Sequence, residues 1–387
     1  MAEGRKLPGY VYLPPEAARR QAERTRDNTY KLISSEVPWK DRYHFLERNG
    51  FRLRPRYNPT WEPSWKGTNL DPAFCEDYIV LNNSRVIDAT RLSDNCRVAI
   101  KVVKRSDQEL QISQFLSSLQ HPANHCVSVY GSLEDPLNPS MLLMVMQYLT
   151  PWNDPEFTVL GDVVDFVTQM LEGLEFIHNQ HVAHRDVASL NIMMNGSVLF
   201  PQGHHSIWRD RSPDAVYDLT PLQRMDQPVR YFYVDFGLSV RFQPGASTLV
   251  VGDVGRDAEV PELSWDVPYD PFKADIYALG NLFDKEFQQV RPASILEKCI
   301  PDVLPQRYHS LQFLLPLIES MKHKQPEQRL TASELVQIFA STRKTLNPNG
   351  FRWRLGPKSE PAYERLFNDG VAVAKESINQ LRRLVRS

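Results

Sequence analysis

Four side chains in this sequence have the types and the order needed to handle a polyphosphate, a hard cation and a hydroxyl proton. Lys101 closes the apolar run Val98-Ala99-Ile100. Asp186 follows His184-Arg185, Asn191 comes five residues later, and Asp235 stands between Val234 and Phe236-Gly237. An ammonium at the end of an apolar strand can be held against phosphate oxygens, provided an anion fixes it. A carboxylate within reach of a hydroxyl can take its proton. An amide oxygen and a carboxylate are hard ligands of the kind that Mg²⁺ accepts. Taken singly, each motif reads as ordinary: a strand-end lysine, a surface turn, a turn aspartate. The fixed order of all of them carries the chemical meaning.

That ordered set resembles the signature of the protein kinase family, from about residue 76 to about residue 342. The resemblance implies an α+β, two-lobed fold, with a small β-rich N-lobe and a larger helical C-lobe. ATP and Mg²⁺ follow as cofactors and a protein as substrate. By the same resemblance Asp186 is the base, Lys101 binds the α- and β-phosphates, and Asn191 and Asp235 hold Mg²⁺. Glu109 is the candidate anion for Lys101, since Ile112 and Leu116 follow it at helical spacing; the separation of eight residues is short, and Ser113 is polar. Met146 takes the gatekeeper position, and Gln147-Tyr148-Leu149 the hinge whose backbone pairs with adenine. His184 is implied as a packed spine residue, Arg185 as an anchor for the activation segment, and Phe236-Gly237 as the remainder of the metal motif. Val260-Pro261-Glu262 stands where the family has Ala-Pro-Glu; Glu262 and Arg329 are then a buried ion pair, and Asp275 a support of the catalytic loop.

Three departures stand out. Between the first two expected strands the chain reads Leu81-Asn82-Asn83-Ser84-Arg85-Val86, with no glycine to bring backbone N–H groups close to phosphates. Asn tolerates positive φ, so Asn82-Asn83 can turn tightly, but the lid is short and weakened ATP affinity is expected. In Val187-Ala188-Ser189-Leu190 neither loop position used for a cation carries one. Arg85, Arg241 and Lys104 are the candidates to compensate. Finally, 43 residues separate Asn191 from Asp235, including Gly203-His204-His205. Adjacent histidines point in different directions and no third ligand is in register, so a folded insert is expected there rather than a metal site. The insert, the arm Arg56-Tyr57-Asn58-Pro59-Thr60-Trp61-Glu62-Pro63-Ser64-Trp65 and the motif Asn124-His125-Cys126-Val127 resemble atypical kinase-like proteins of mushroom-forming fungi.

The elements that must position these groups emerge from periodicity. Residues 1–75 form a Pro-, Trp- and Arg-rich extension; disorder is expected for about the first 25, while Trp39, Trp61 and Trp65 should pack on the adjoining domain. Residues 76–149 read as the N-lobe, with strands at Tyr78–Leu81, Val86–Leu92, Cys96–Val103 and Met141–Leu149 and one helix from Glu109. Residues 150–342 read as the C-lobe with an insert at 195–230. Its helices are expected at Leu160–Gln180, Asp275–Phe287, Leu311–Met321 and Thr331–Thr342, the last with the capping-box pair Thr331 and Glu334. Residues 343–387 read as a helical tail, amphipathic from Pro361 to Arg386.

With 45 basic against 47 acidic residues, the chain offers no charge excess for nucleic acid or an anionic membrane. Cys75, Cys96, Cys126 and Cys299 are widely spaced, which suits free thiols in a reducing compartment. The N-terminus has no apolar signal region, and a cytoplasmic or nuclear location is expected. Oligomeric state is open. An active Ser/Thr-type protein kinase and a pseudokinase scaffold are the two readings to weigh; a small-molecule phosphotransferase is disfavoured by the Pro261-Glu262 and Arg329 elements.

Overall fold

The computed structural model describes residues 7–81, 83–288, 308, 310–356, 360–372 and 374. It divides into two units: one within residues 1–110, 128–149 and 195–223, the other within 111–127, 150–194 and 224–387. The insert therefore splits at residue 223, and its larger part belongs with the sheet and not with the helices.

In the first unit the arm builds as much as the expected strands. Helix α1 (Pro15–Arg26) opens on a proline at its first position, where no N–H is needed, so order replaces the expected disorder. Helix α2 (Val37–Arg48) has no counterpart among the expected elements; it carries Trp39, Tyr43 and Leu46 on one stripe. Strands β1 (Phe51–Arg52), β2 (Val86–Arg91), β3 (Arg97–Lys104), β4 (Val129–Glu134) and β5 (Met141–Gln147) follow; helix α3 (Glu109–Ser118), between β3 and β4, starts in this unit and belongs to the second from Gln111. The antiparallel sheet runs β1-β2-β3-β5-β4. The α2 stripe, with Leu53 and Tyr57, shares one core with Ile87, Val98, Ile100, Leu143 and Val145. Two buried ion pairs fasten it: Arg56 Nε donates to Glu36 Oε1 at 2.7 Å, and Arg42 Nη2 to Asp135 Oδ2 at 2.6 Å.

The expected strand Tyr78–Leu81 does not form. Glu76–Tyr78 is a 3₁₀ turn. The buried Asp77 carboxylate accepts from Trp61 Nε1 at 2.9 Å and from Ser64 N at 2.8 Å, while Arg54 Nη1 takes the Ile79 carbonyl at 3.0 Å. Long-range partners thus satisfy groups that a ladder would have used, and the edge strand comes from Phe51–Arg52 instead. In the insert, His204 and His205 are buried as turn formers. His205 Nδ1 accepts from Ile207 N and Trp208 N at 3.1 Å each, and Val216 packs with Trp65 and Cys75.

In the second unit, β6 (Thr150–Pro151) leads into helix α4 (Leu160–Asn179), whose apolar residues are buried nearly all round. Next come β7 (Val182–Ala183), β8 (Ile192–Met194), β9 (Tyr231–Tyr233), β10 (Val240–Arg241), β11 (Val250–Gly252) and β12 (Ser264–Tyr269). They pair as β6-β8-β9, β10-β7 and β11-β12. Helices α5 (Pro271–Phe283), α6 (Leu315–Met321) and α7 (Ala332–Thr345) complete the unit. A π turn, Asp284–Gln288, extends α5, and α7 has the expected capping box, with Thr331 N donating to Glu334 Oε2 at 2.7 Å. Residues 362–372 are helical with Leu366 and Phe367 exposed; the rest of the expected tail helix, residue 373 and 375–387, lies outside the described residues, as do Asn82 and Cys299.

His125 is a buried structural histidine of this unit. Its Nδ1 lies 2.8 Å from the Tyr231 carbonyl, and Gly173 of α4 lets it approach, since a Cβ there would meet His125 Cβ at 2.7 Å. Burial lowers its pKa from 6.5 to about 4; Arg230 adds to this, and Glu172 is 4.0 Å away. The folded state therefore resists a proton that the unfolded chain accepts, so stability falls as pH drops through 6.5 towards 4. The loss should reach on the order of 3 kcal/mol at pH 4. Urea unfolding at pH 7 and pH 4 checks this, with His125→Asn showing a flatter dependence; equal slopes would remove His125 as the source.

Candidate active site

The first unit contributes an ammonium. Lys101 does not end its strand as expected but sits within β3, opposite Val86 on β2 and Met144 on β5. Its Nζ lies 2.5 Å from Glu109 Oε1, and both side chains are largely buried. Glu109 occupies the first turn of α3, where the positive end of the helix favours an anion. Met146 is paired between Ala99 and Val129, Gln147 N donates to Ser128 O at 2.9 Å, and Leu149 is buried. Tyr148 Oη donates to Ser206 O at 2.9 Å, and the Arg97 guanidinium covers the Tyr148 ring at 5.0 Å while donating to His204 O at 2.8 Å. Burial pushes the Tyr148 phenol up to about 12. The insert thus grips the expected hinge through its side chain.

The lid is occupied by its own asparagine. Asn83 Oδ1 accepts from Arg85 N at 2.9 Å and from Val86 N at 3.1 Å. Trp39 Nε1 holds the Asn83 carbonyl at 3.4 Å. Two backbone donors that a glycine loop would leave for phosphate are engaged internally.

The second unit assembles Asp186, Asn191 and Asp235. Asp275 on α5 accepts from the backbone N–H groups of His184 and Arg185, each at 2.7 Å, and from His178 Nε2 at 3.0 Å. This fixes the turn even though Arg185 has φ +65. The His184 ring is buried; its Nε2 lies 3.2 Å from Val234 O, its Nδ1 accepts from Asp186 N at 3.3 Å, and the Phe236 ring packs tilted against it at 5.0 Å. Burial holds the His184 pKa below its ordinary value, against the pull of Asp275 and Asp186, in keeping with a neutral ring that accepts at Nδ1. Asn191 Nδ2 donates to Asp186 Oδ2 at 2.7 Å and to Asp186 O at 2.9 Å. Asp235 holds the left-handed conformation, φ +66, which costs a non-glycine residue about 1–3 kcal/mol.

The donor set fits Mg²⁺. With Nδ2 on Asp186, Asn191 retains Oδ1 as a hard acceptor, and Asp235 presents a partly exposed carboxylate. Among the described residues no three His, Cys, Asp or Glu side chains converge as a cage. One or two protein oxygens completed by phosphate is the usual manner of holding Mg²⁺.

The segment after Asp235 is held from several sides. Arg185 Nη2 donates to Val251 O at 2.9 Å and its Nη1 to Leu238 O at 3.4 Å. Gly252 makes room, with φ +128 and a notional Cβ 2.9 Å from Arg185 Nη2. Glu262 and Arg329 form a bidentate pair at 2.5 and 2.8 Å, and Arg329 also donates to Lys273 O and His323 O, each at 2.8 Å.

One residue at this site was missed in the sequence. Arg256 N donates to Asp186 Oδ1 at 2.7 Å, and its guanidinium lies 3.5 Å from Asp186 Oδ2 and 4.0 Å from Asp235 Oδ2. The available signal was a cation behind Gly255, six residues before Glu262, in a chain with Ala at 188. Arg241, by contrast, is stacked on Phe115 at 3.4 Å.

Residues 82–339 match the Protein kinase domain family. The chain is 32% identical over 123 residues to Serine/threonine-protein kinase pak-1 of Caenorhabditis elegans, covering 29% of this chain and 21% of that protein. It is 27% identical over 184 residues to Serine/threonine-protein kinase Nek6 of Oryza sativa subsp. japonica, covering 45% and 28%. To the NT-3 growth factor receptor of Rattus norvegicus it is 22% identical over 299 residues, covering 64% and 33%. The chain thus spans a third or less of these relatives. No helix among the described residues is long and apolar enough to cross a membrane. A β-rich sheet followed by a helical region is the protein kinase fold, and with well over half of its length matched this chain belongs to the protein kinase domain family.

Proposed function

We propose that this chain is an ATP- and Mg²⁺-dependent protein kinase acting on a protein hydroxyl, serine or threonine. The observation that carries the reading is the Asp186–Asn191 hydrogen bond at 2.7 Å, with Asp235 in the same unit. On this reading Asp186 is the base, and Asn191 and Asp235 are the two hard ligands. In the reaction the hydroxyl oxygen bonds to the γ-phosphorus and its proton passes to Asp186. The bond to the β–γ bridging oxygen breaks, and ADP leaves with that electron pair. Asn191 and Asp235 would hold Mg²⁺, which would supply positive charge to the phosphates. Lys101, fixed by Glu109, takes the α- and β-phosphates; Met146, Gln147 and Leu149 line the adenine end. The names of the pak-1 and Nek6 relatives favour Ser or Thr over Tyr. We assign the chain, on the resemblance of its insert and arm, to the atypical kinase-like proteins of mushroom-forming fungi, and its location to the cytoplasm or nucleus.

A generic peptide mixture with labelled ATP tests transfer, with Asp186→Asn as control. For the metal, Asp235→Asn should weaken Mg²⁺-ATP by about tenfold or more and metal-free ATP little, because one negative hard ligand is lost. Isothermal titration with and without Mg²⁺ measures this; equal losses would make Asp235 structural.

The occupied lid favours a second reading, a pseudokinase that binds nucleotide weakly or not at all. With Asn83 on the N–H groups of Arg85 and Val86, affinity rests on the hinge, Lys101 and Mg²⁺. ATP affinity in the upper micromolar to millimolar range is expected, roughly within ordinary enzyme values. A thermal shift by millimolar Mg²⁺-ATP without transfer would establish the nucleotide-binding pseudokinase.

A further inference from the structure

We propose that Arg256 is the cation that stabilises the transferring phosphoryl group, in place of the catalytic-loop cation that this chain lacks. The inference rests on the kinase reading and deepens it. The loop between Asp186 and Asn191 offers Val187, Ala188, Ser189 and Leu190, none of them charged.

The neighbouring cations of the second unit are committed elsewhere. Arg185 donates to the Val251 and Leu238 carbonyls. Arg241 stacks on Phe115. Lys273 Nζ donates to Arg329 O at 2.5 Å. Lys285 lies 2.9 Å from Glu259 and 3.3 Å from Asp257. Arg256 alone in this group has its guanidinium turned to both Asp186 and Asp235.

Its main chain is pinned while its head is not. The Arg256 N–H donates to Asp186 Oδ1 at 2.7 Å. The next residue, Asp257, accepts from Asn281 Nδ2 on α5 at 2.7 Å and faces Lys285. The guanidinium contacts, at 3.5 and 4.0 Å, are longer than hydrogen bonds, and the side chain is 46% exposed. Such a group is held near the two carboxylates by charge and can turn towards phosphate oxygens without breaking a hydrogen bond. During transfer, negative charge spreads over the oxygens of the moving phosphoryl group, and a positioned guanidinium offsets it.

The test compares Arg256→Ala and Arg256→Lys with wild type, and Arg241→Ala as a control. Isothermal titration with Mg²⁺-ADP plus aluminium fluoride reports binding of a transferring-group mimic; Mg²⁺-AMP-PNP reports ground-state binding. Arg256→Ala should weaken the aluminium fluoride complex about 10²-fold and leave AMP-PNP within about twofold. Turnover should fall by a similar factor, Arg256→Lys should lie between, and added guanidinium should restore part of the loss in Arg256→Ala. Melting temperatures should match, since the side chain is half exposed. Equal losses for both ligands, or none, would overturn the role of Arg256 while leaving the kinase reading intact. A wild type that transfers no phosphate and binds neither ligand would overturn the kinase reading and this inference with it.

Discussion

Asp186→Asn should lower γ-phosphate transfer to peptide by about 10²–10⁴-fold, with ATP affinity changed by no more than about twofold. The substitution removes little volume. It removes the proposed proton acceptor, and it replaces one of the two oxygens with a donor. In the native site Asp186 Oδ1 takes Arg256 N–H and Oδ2 takes Asn191 Nδ2–H. An amide can satisfy one of these and must oppose the other, so part of the loss will come from loosening Arg256 or Asn191. Steady-state kinetics together with ATP titration separates the outcomes. Transfer at the wild-type rate would exclude Asp186 as the base. A collapse of ATP affinity in parallel would show that the carboxylate holds the site together instead of moving a proton.

The second large effect lies in the arm. Arg56→Met should cost the first unit about 3–5 kcal/mol, because it strands a buried carboxylate. Glu36 is fully buried and accepts from Arg56 at 2.7 and 2.9 Å, while Arg56 also donates to Asp77 O at 3.1 Å. Burial on its own would raise the Glu36 pKa. The hydrogen bonds from Arg56 and from the Ile33 backbone outweigh it and hold the carboxyl below its ordinary 4.5. A depressed carboxyl contributes stability above the unfolded value and loses it as pH falls through the folded one. Urea unfolding of Arg56→Met should therefore show a lower midpoint at pH 7 and a weaker loss on acidification. Glu36→Leu combined with Arg56→Met should recover part of the deficit. An unchanged midpoint would mean that the arm is an accessory to the sheet and not part of its core.

Much of the fold was legible where a local pattern sufficed. The Val98–Lys101 strand, the apolar stripe of α4 and the Thr331–Glu334 cap are set by neighbours within a turn or a pleat. The arm was not legible, because its order depends on distant groups: Asp77 reaching Trp61 and Ser64, Arg54 reaching Ile79, and α2 needing the sheet to cover its stripe. The site divides the same way. Motif spacing pointed to Asp186, Asn191 and Asp235, which the second unit brings together, and to Lys101 and Glu109, which the first unit pairs. Arg256 was missed, since its place between Gly255 and Glu262 does not show which carboxylate it faces until the segment folds back on Asp186. The internal use of Asn83 was equally hidden; composition showed that glycine was missing but not what its replacement would bind.

The grip of Arg185 on the segment has a consequence for how such a protein receives signals. Kinase activation loops are commonly ordered when a new phosphate meets an arginine. Here that arginine already donates to two main-chain carbonyls, Val251 and Leu238, beside a glycine whose position leaves no room for a side chain. Carbonyl oxygens cannot be added by one enzyme and removed by another. Arg185 holds the segment through these carbonyls without any added phosphate, so phosphatase treatment should leave that contact in place.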